Sequence, residues 1–151
     1  MDKRIFFKYP KLLNLYPPFL GAGIRVKSLN ATKNRFQIDM KLRWYNQNVY
    51  GTHFGGSLYA MCDPFFVFIV YHYLGDGYII WDKAASIEFK RPGRGKVSAV
   101  FEISLERLAE IKELVERQEV KTFTFEAQIT DQQNETVAKL EKVVYIRKKR
   151  S

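Results

Sequence analysis

Between Trp44 and Gly75 this 151-residue chain carries one group charged at neutral pH apart from its two histidines, and that group is Asp63. Within that stretch Gly56 to Leu74 is almost wholly apolar and is closed by Gly75-Asp76-Gly77. Its length and its lack of two-residue alternation favour helix over strand, although Phe, Val, Ile and Tyr are middling helix formers. A helix apolar on nearly all sides has to be surrounded. Its longest uncharged run, Pro64 to Tyr73, is about half of the ~20 residues a membrane-spanning helix requires. It reads as a buried core helix, and no membrane span is expected.

The flanking sequence offers the material to surround it. Gly23 to Leu29 and Arg35 to Trp44 alternate apolar and polar residues about the turn-prone Asn30 to Asn34, which predicts an antiparallel hairpin. Ile24, Val26, Phe36, Ile38, Met40 and Leu42 are its expected core face. A second pair follows over Tyr78 to Gly93 and Gly95 to Glu106, with Ile87 and Phe89 alternating against Glu88 and Lys90. Leu105, Leu108, Ile111, Leu114 and Val115 stand at helical spacing and predict an amphipathic surface helix to Gln118. Val120 to Thr130 and Glu135 to Lys149 flank the turn Asp131 to Asn134 as a last pair. Near the start, Leu12, Leu13 and Leu15 suggest a short helix or turn closed by Pro17 and Pro18. A long sheet covering one apolar helix is the economical packing of this α+β order.

The 46% hydrophobic content suffices for one domain with a real core and argues against two. One cysteine, Cys62, excludes an internal disulfide, and two histidines supply no metal-ligand cluster, so no metal is expected. A reducing, cytoplasmic setting fits the lone thiol, and Met1 to Leu20 lacks the apolar run and cleavage site of a signal peptide. The formal charge of +9 would suit phosphates, a membrane surface or nucleic acid. No zinc-finger spacing or glycine-rich aromatic RNA motif accompanies it, so no nucleic-acid partner is expected.

Asp63 has two local readings. Inside an enclosed helix its desolvation must be offset, or its pKa must rise, and either suits a general base or nucleophile. Alternatively it caps a helix whose first residue is Pro64, a favoured combination. A third possibility joins them: the helix starts at Gly56 and Pro64 kinks it. Gly55 and Gly56 before Ser57 let a backbone approach a ligand closely and point amides at it, or mark a tight turn against the sheet. Cys62 reads as small core packing and His72 as a core or interface histidine.

The run Asn48-Val49-Tyr50-Gly51-Thr52-His53-Phe54-Gly55-Gly56, with Asp63 seven residues on, resembles the signature of hotdog-fold acyl-CoA thioesterases of the phenylacetate-pathway type. Asn48, Gly51, Thr52, Gly55, Gly56 and Asp63 match it in type and spacing. The wording of Gly51 to Phe66 is more similar still to an uncharacterised branch of that superfamily. The resemblance implies a hotdog fold: an antiparallel sheet wrapped around a central apolar helix, here with the surface helix from Leu105 as an extra. It departs at one position, because the family's histidine directly precedes the glycine pair, where this chain has Phe54 and places His53 one residue early.

The resemblance further implies that Asp63, Asn48, Gly55 and Gly56 are catalytic. His53, Phe54, Ser57 and Tyr59 would lie around the substrate, and Asp82 and Lys83 would stand near the attacking water, where a second carboxylate could change the local pKa or pair with Lys83. Lys90, Arg91, Arg94 and Lys96 are candidates for the phosphates of coenzyme A, which would enter as part of the substrate rather than as a cofactor. Along one helix, eight residues would separate Gly55 from Asp63 by roughly 12 Å, too far to act on one thioester carbon. The mechanism therefore requires a homodimer, alone or as a dimer of dimers. The alternative is a non-catalytic hotdog module that binds an acyl group or only assembles.

Overall fold

The computed structural model describes residues 4–118 and 121–150. The chain opens with helix α1 (Arg4–Lys8), a 3-10 helix (Pro10–Leu15) and α2 (Pro17–Ala22), then forms β1 (Ile24–Leu29) and β2 (Arg35–Lys41). After a loop come α3 (Gly55–Ala60) and α4 (Phe65–Leu74), then β3 (Tyr78–Phe89), β4 (Lys96–Glu102), α5 (Leu105–Glu116), β5 (Thr122–Thr130) and β6 (Thr136–Lys148). The strands form one antiparallel sheet in the order β1-β2-β4-β5-β6-β3. With α3 and α4 held against its concave face, this is the hotdog fold expected from the sequence. Val120, the expected start of the fifth strand, lies outside the described residues.

Strand alternation builds the wall. On β2 Phe36, Ile38 and Met40 are fully buried, and Ile24, Val26, Val97, Ala99 and Phe101 continue their face on β1 and β4. Leu42 falls beyond the end of β2 and is only half-buried. The apolar helix fills the trough: Phe65 through Val70 are all buried, and the Phe65 ring stacks on Phe101 at 5.2 Å and meets Phe36 at 5.6 Å. Each such side chain removed from water contributes about 1.5–3 kcal/mol. Gly55–Leu74 taken whole is long and apolar enough to cross a membrane. Here it is the core helix of the domain.

Two further expectations change. Pro17 and Pro18 do not close a helix; they occupy the first turn of α2, where a missing N–H costs nothing. The N-terminal helices then cap the open end of the trough, with Phe7 against Phe68 at 4.5 Å and Phe19 against Phe65 at 6.1 Å. On α5 Leu108, Ile111 and Val115 are buried but Leu105 is exposed, because it is the first residue after the Ser104 cap, whose hydroxyl accepts from the Arg107 amide.

The central helix is interrupted at Pro64, as the third reading of Asp63 has it. It begins at Gly55, tightens through Cys62 N–H to Tyr59 O (2.9 Å) and Asp63 N–H to Ala60 O (3.2 Å), and restarts at Phe65. The N-cap position of α4 is Pro64, and no side chain caps it, so Asp63 does not play the capping role. The break turns Asp63 outward, leaving its side chain 49% exposed.

Candidate active site

Asp63 is not alone. Lys142, on the inner face of β6 between Leu140 and Val144, is only 1% exposed, and its Nζ lies 3.0 Å from Asp82 Oδ2 and 3.9 Å from Asp63 Oδ1. It also donates to the Tyr59 hydroxyl at 3.4 Å and sits 5.1 Å from that ring's centre. β3 supplies Asp82 through a bulge at Lys83: Asp82 pairs with Val144 while Ala84 pairs with Val143, so Asp82 and Ala85 both face inward. The cation paired with Asp82 is therefore Lys142. Of the two readings open for Asp82, pairing with Lys83 is not seen, because Lys83 sits exposed on the bulge.

The electrostatics follow from burial. Desolvation pushes the Asp82 carboxyl up, Lys142 opposes this, and the like charge of Asp63 adds to the rise; the net shift is upward. For Lys142 burial alone would lower the ammonium pKa, but the facing carboxylates more than offset it and hold it above its ordinary value. Cys62 is pushed up to about 12, chiefly by burial, and is a neutral thiol.

A second feature stands apart from this cluster. A cleft of about 650 Å³ is lined by Asn48, His53, Gly55, Leu58, Phe89 and the Lys90–Arg94 turn, and neither Asp63 nor Asp82 reaches it. The Asn48 side chain organises its loop: Oδ1 accepts from the amides of Tyr50 (2.9 Å) and Thr52 (3.1 Å), and Nδ2 donates to the Thr52 hydroxyl (2.9 Å). Gly51, at φ +72°, makes that turn without the penalty a Cβ would bring. Gly55 and Gly56 open α3, where the helix itself provides no acceptor for their amides. A Cβ on Gly55 would stand 3.0 Å from the Phe89 ring, and one on Gly56 would meet the Phe54 ring at 2.6 Å. Ser57 is buried and Phe54 is exposed, and neither lines the cleft.

The cations differ in how free they are. Arg91 pairs with Asp131 (3.4 Å) and Glu135 (2.6 Å), Lys90 pairs with Glu88, and Lys96 lies 3.8 Å from Asp39. Arg94 has no ion pair among the described residues. The described residues also place no group of three His, Cys, Asp or Glu side chains that could hold a metal.

His53 is 3% exposed; its Nε2 donates to Gly95 O at 2.9 Å, and its Nδ1 is enclosed without a partner. It pins the loop to the Pro92–Gly95 turn. Burial lowers its pKa below 6.5, and the same holds for His72. A depressed folded-state pKa stabilises the fold above the unfolded value and loses that contribution as pH falls. Denaturant unfolding is thus expected to show stability declining from pH 6.5 downward, with a shallower decline in His53→Gln.

Lys142 escaped the reading of the sequence. Its signal was nonetheless present: Leu140, Val144 and Ile146 alternate onto the apolar face of β6, which places Lys142 among them.

The model of a family described as a domain of unknown function (DUF4442) matches residues 4–146. The chain belongs to this family. No curated protein matches the DUF4442 chain in sequence. Solved structures match its fold. One is a Pseudomonas aeruginosa protein of unknown function described as a probable thioesterase, with TM-score 0.83, 19% identity, and 94% of this chain and 95% of that one covered. Another is a thioesterase from Haemophilus influenzae (TM-score 0.70, 14% identity, 94% and 90% covered). A third is the PaaI protein of the E. coli phenylacetic acid degradation operon (TM-score 0.63, 18% identity, 92% of each covered). At these identities the likeness establishes that the DUF4442 chain has the hotdog fold.

Proposed function

We propose that this protein hydrolyses an acyl thioester, with coenzyme A as the expected carrier, at a site completed by a second copy of the chain. The observation that carries the reading is the placement of its two halves on β3. The Asp63–Asp82 cluster lies at Asp82 and the glycine cleft at Phe89, roughly 20 Å along the strand. β3 is an edge strand of 12 residues with Trp81, Ala84, Ala85 and Phe89 exposed, and an edge of that length and character needs covering.

Antiparallel pairing of β3 with its own copy covers it and joins the halves. Opposed residues must share a face, so a two-fold axis at Ser86 sets Ala85 against the partner's Ile87. Beyond the bulge at Lys83 it sets Asp82 against the partner's Phe89. Asp63 of one chain then faces Gly55 and Gly56 of the other. The Gly56 amide donates to the thioester oxygen and stabilises the oxyanion. Asp63 takes a proton from water as the hydroxide adds to the carbonyl carbon; collapse expels the thiolate, which receives the proton. Asn48 holds the loop that aims these amides, and Arg94 is the cleft cation most available to a phosphate.

Two experiments test this. A panel of acyl-CoA substrates with thiol detection should reveal turnover of at least one chain length; no thiol release from any of them would favour the binding or assembly module. Paired strands place opposed Cα atoms about 4.5–5.5 Å apart, within disulfide reach. Ser86→Cys, exposed on the outer face, is therefore expected to form a covalent dimer under mild oxidation, whereas a monomer with a free thiol would reject this register.

A further inference from the structure

A lysine buried to 1% exposure in an apolar sheet face costs several kcal/mol unless charge compensates it, and two carboxylates side by side resist joint ionisation. Here each solves the other's problem. Lys142 Nζ contacts Asp82 at hydrogen-bond distance, stands 3.9 Å from Asp63, and gives its remaining donor direction to the Tyr59 hydroxyl. It is sealed from solvent and cannot touch a substrate. The difference between its two carboxylates matters: Asp82 is the nearer and only 25% exposed, with Oδ1 enclosed, whereas Asp63 is 49% exposed.

We propose that Lys142 is a positioning residue that engages Asp82 directly and leaves Asp63, the more exposed carboxylate of the pair, to take the proton from water. The groups facing Asp63 are Lys142 from β6, Asp82 from β3 and the neutral Cys62 thiol, while Tyr59 from α3 faces Lys142. Removing the cation leaves two like charges in contact, so a proton binds more tightly. Removing Asp82 leaves Lys142 to Asp63 alone, so a proton binds less tightly. The two changes act in opposite directions on the same group. A purely structural role for Lys142 would produce no such opposition.

The test is the titration of the Asp63 side-chain carboxyl by 13C NMR in the full-length protein, beside the pH profile of kcat/KM. Lys142→Met, which fills similar space, is expected to move the Asp63 midpoint and the acid limb upward by about 1–3 pH units. Asp82→Asn is expected to move both downward. The double variant, which leaves no unpaired charge behind, is expected to titrate between the singles and keeps the comparison available if Lys142→Met does not fold. An Asp63 midpoint unchanged across these variants, or moved in the same direction by both single changes, overturns the proposal. The kinetic arm rests on the thioesterase reading and the NMR arm does not. Opposed NMR shifts in a protein that hydrolyses no thioester would therefore uphold the role of Lys142 and reject only the activity.

Discussion

Asp63→Asn is expected to lower kcat for acyl thioester hydrolysis about 10²–10⁴-fold, the usual range for losing a general base, with little change in stability. The amide keeps the shape of the carboxylate and, at half exposure, meets enough water to stay solvated. Lys142 retains its nearer partner, Asp82, so no buried charge is left uncompensated. What the amide cannot do is take a proton from water. KM should hold steady, because substrate contacts are assigned to the cleft on the other half of the site. Cys62→Ser supplies the contrast. Its thiol is neutral, pushed up to about 12, and its Sγ is turned to Leu58 O, so activity should survive its loss. The comparison is made from steady-state kinetics at one pH, with circular dichroism confirming that both variants fold.

Phe65→Ala is expected to remove about 3–5 kcal/mol of stability, a large share of the roughly 5–15 kcal/mol a domain possesses. Phe65 is fully buried and meets Phe19, Phe36, Phe68 and Phe101, so its ring joins the N-terminal cover, β2, α4 and β4 at one point. Truncation leaves a cavity among rings whose backbones belong to different elements and cannot collapse together. Urea unfolding at a fixed protein concentration measures the loss, concentration being held because a dimer shares its stability with association. Phe65→Leu, which keeps most of the volume, should lose less.

The sequence disclosed the sheet and its central helix because both follow from periodicity. β2 and β6 bury every second residue over most of their length, and Phe65 to Val70 are apolar throughout. It misled where a residue has two opposite local meanings. Pro17 and Pro18 end helices as readily as they begin them, and packing of Phe19 against Phe65 decided for a beginning. A cap was one of three local readings of Asp63 before Pro64, but the chain tightens through Met61 and Cys62 and starts α4 one residue too late for that. Of the readings open for Asp63, enclosure is not the one the structure shows, for its side chain is half exposed. The enclosed charge is Lys142, 79 positions further along, and only the pairing of β6 with β3 brings it there. Contacts between distant strands have no local signature, so the alternation of β6 was the sole clue.

The proposed dimer builds one catalytic site from Asp63 of one chain and the glycine cleft of another. It is tested most directly by mixing two inactive variants, Asp63→Asn and Gly55→Val, the second chosen because added carbons at Gly55 enter the cleft beside Phe89. After subunit exchange, half of the dimers are mixed and each mixed dimer holds one intact site. Thioesterase activity should therefore return to about a quarter of the wild-type level. A mixture that exchanges subunits yet stays as inactive as its components would place both halves of the site within one chain and contradict the account.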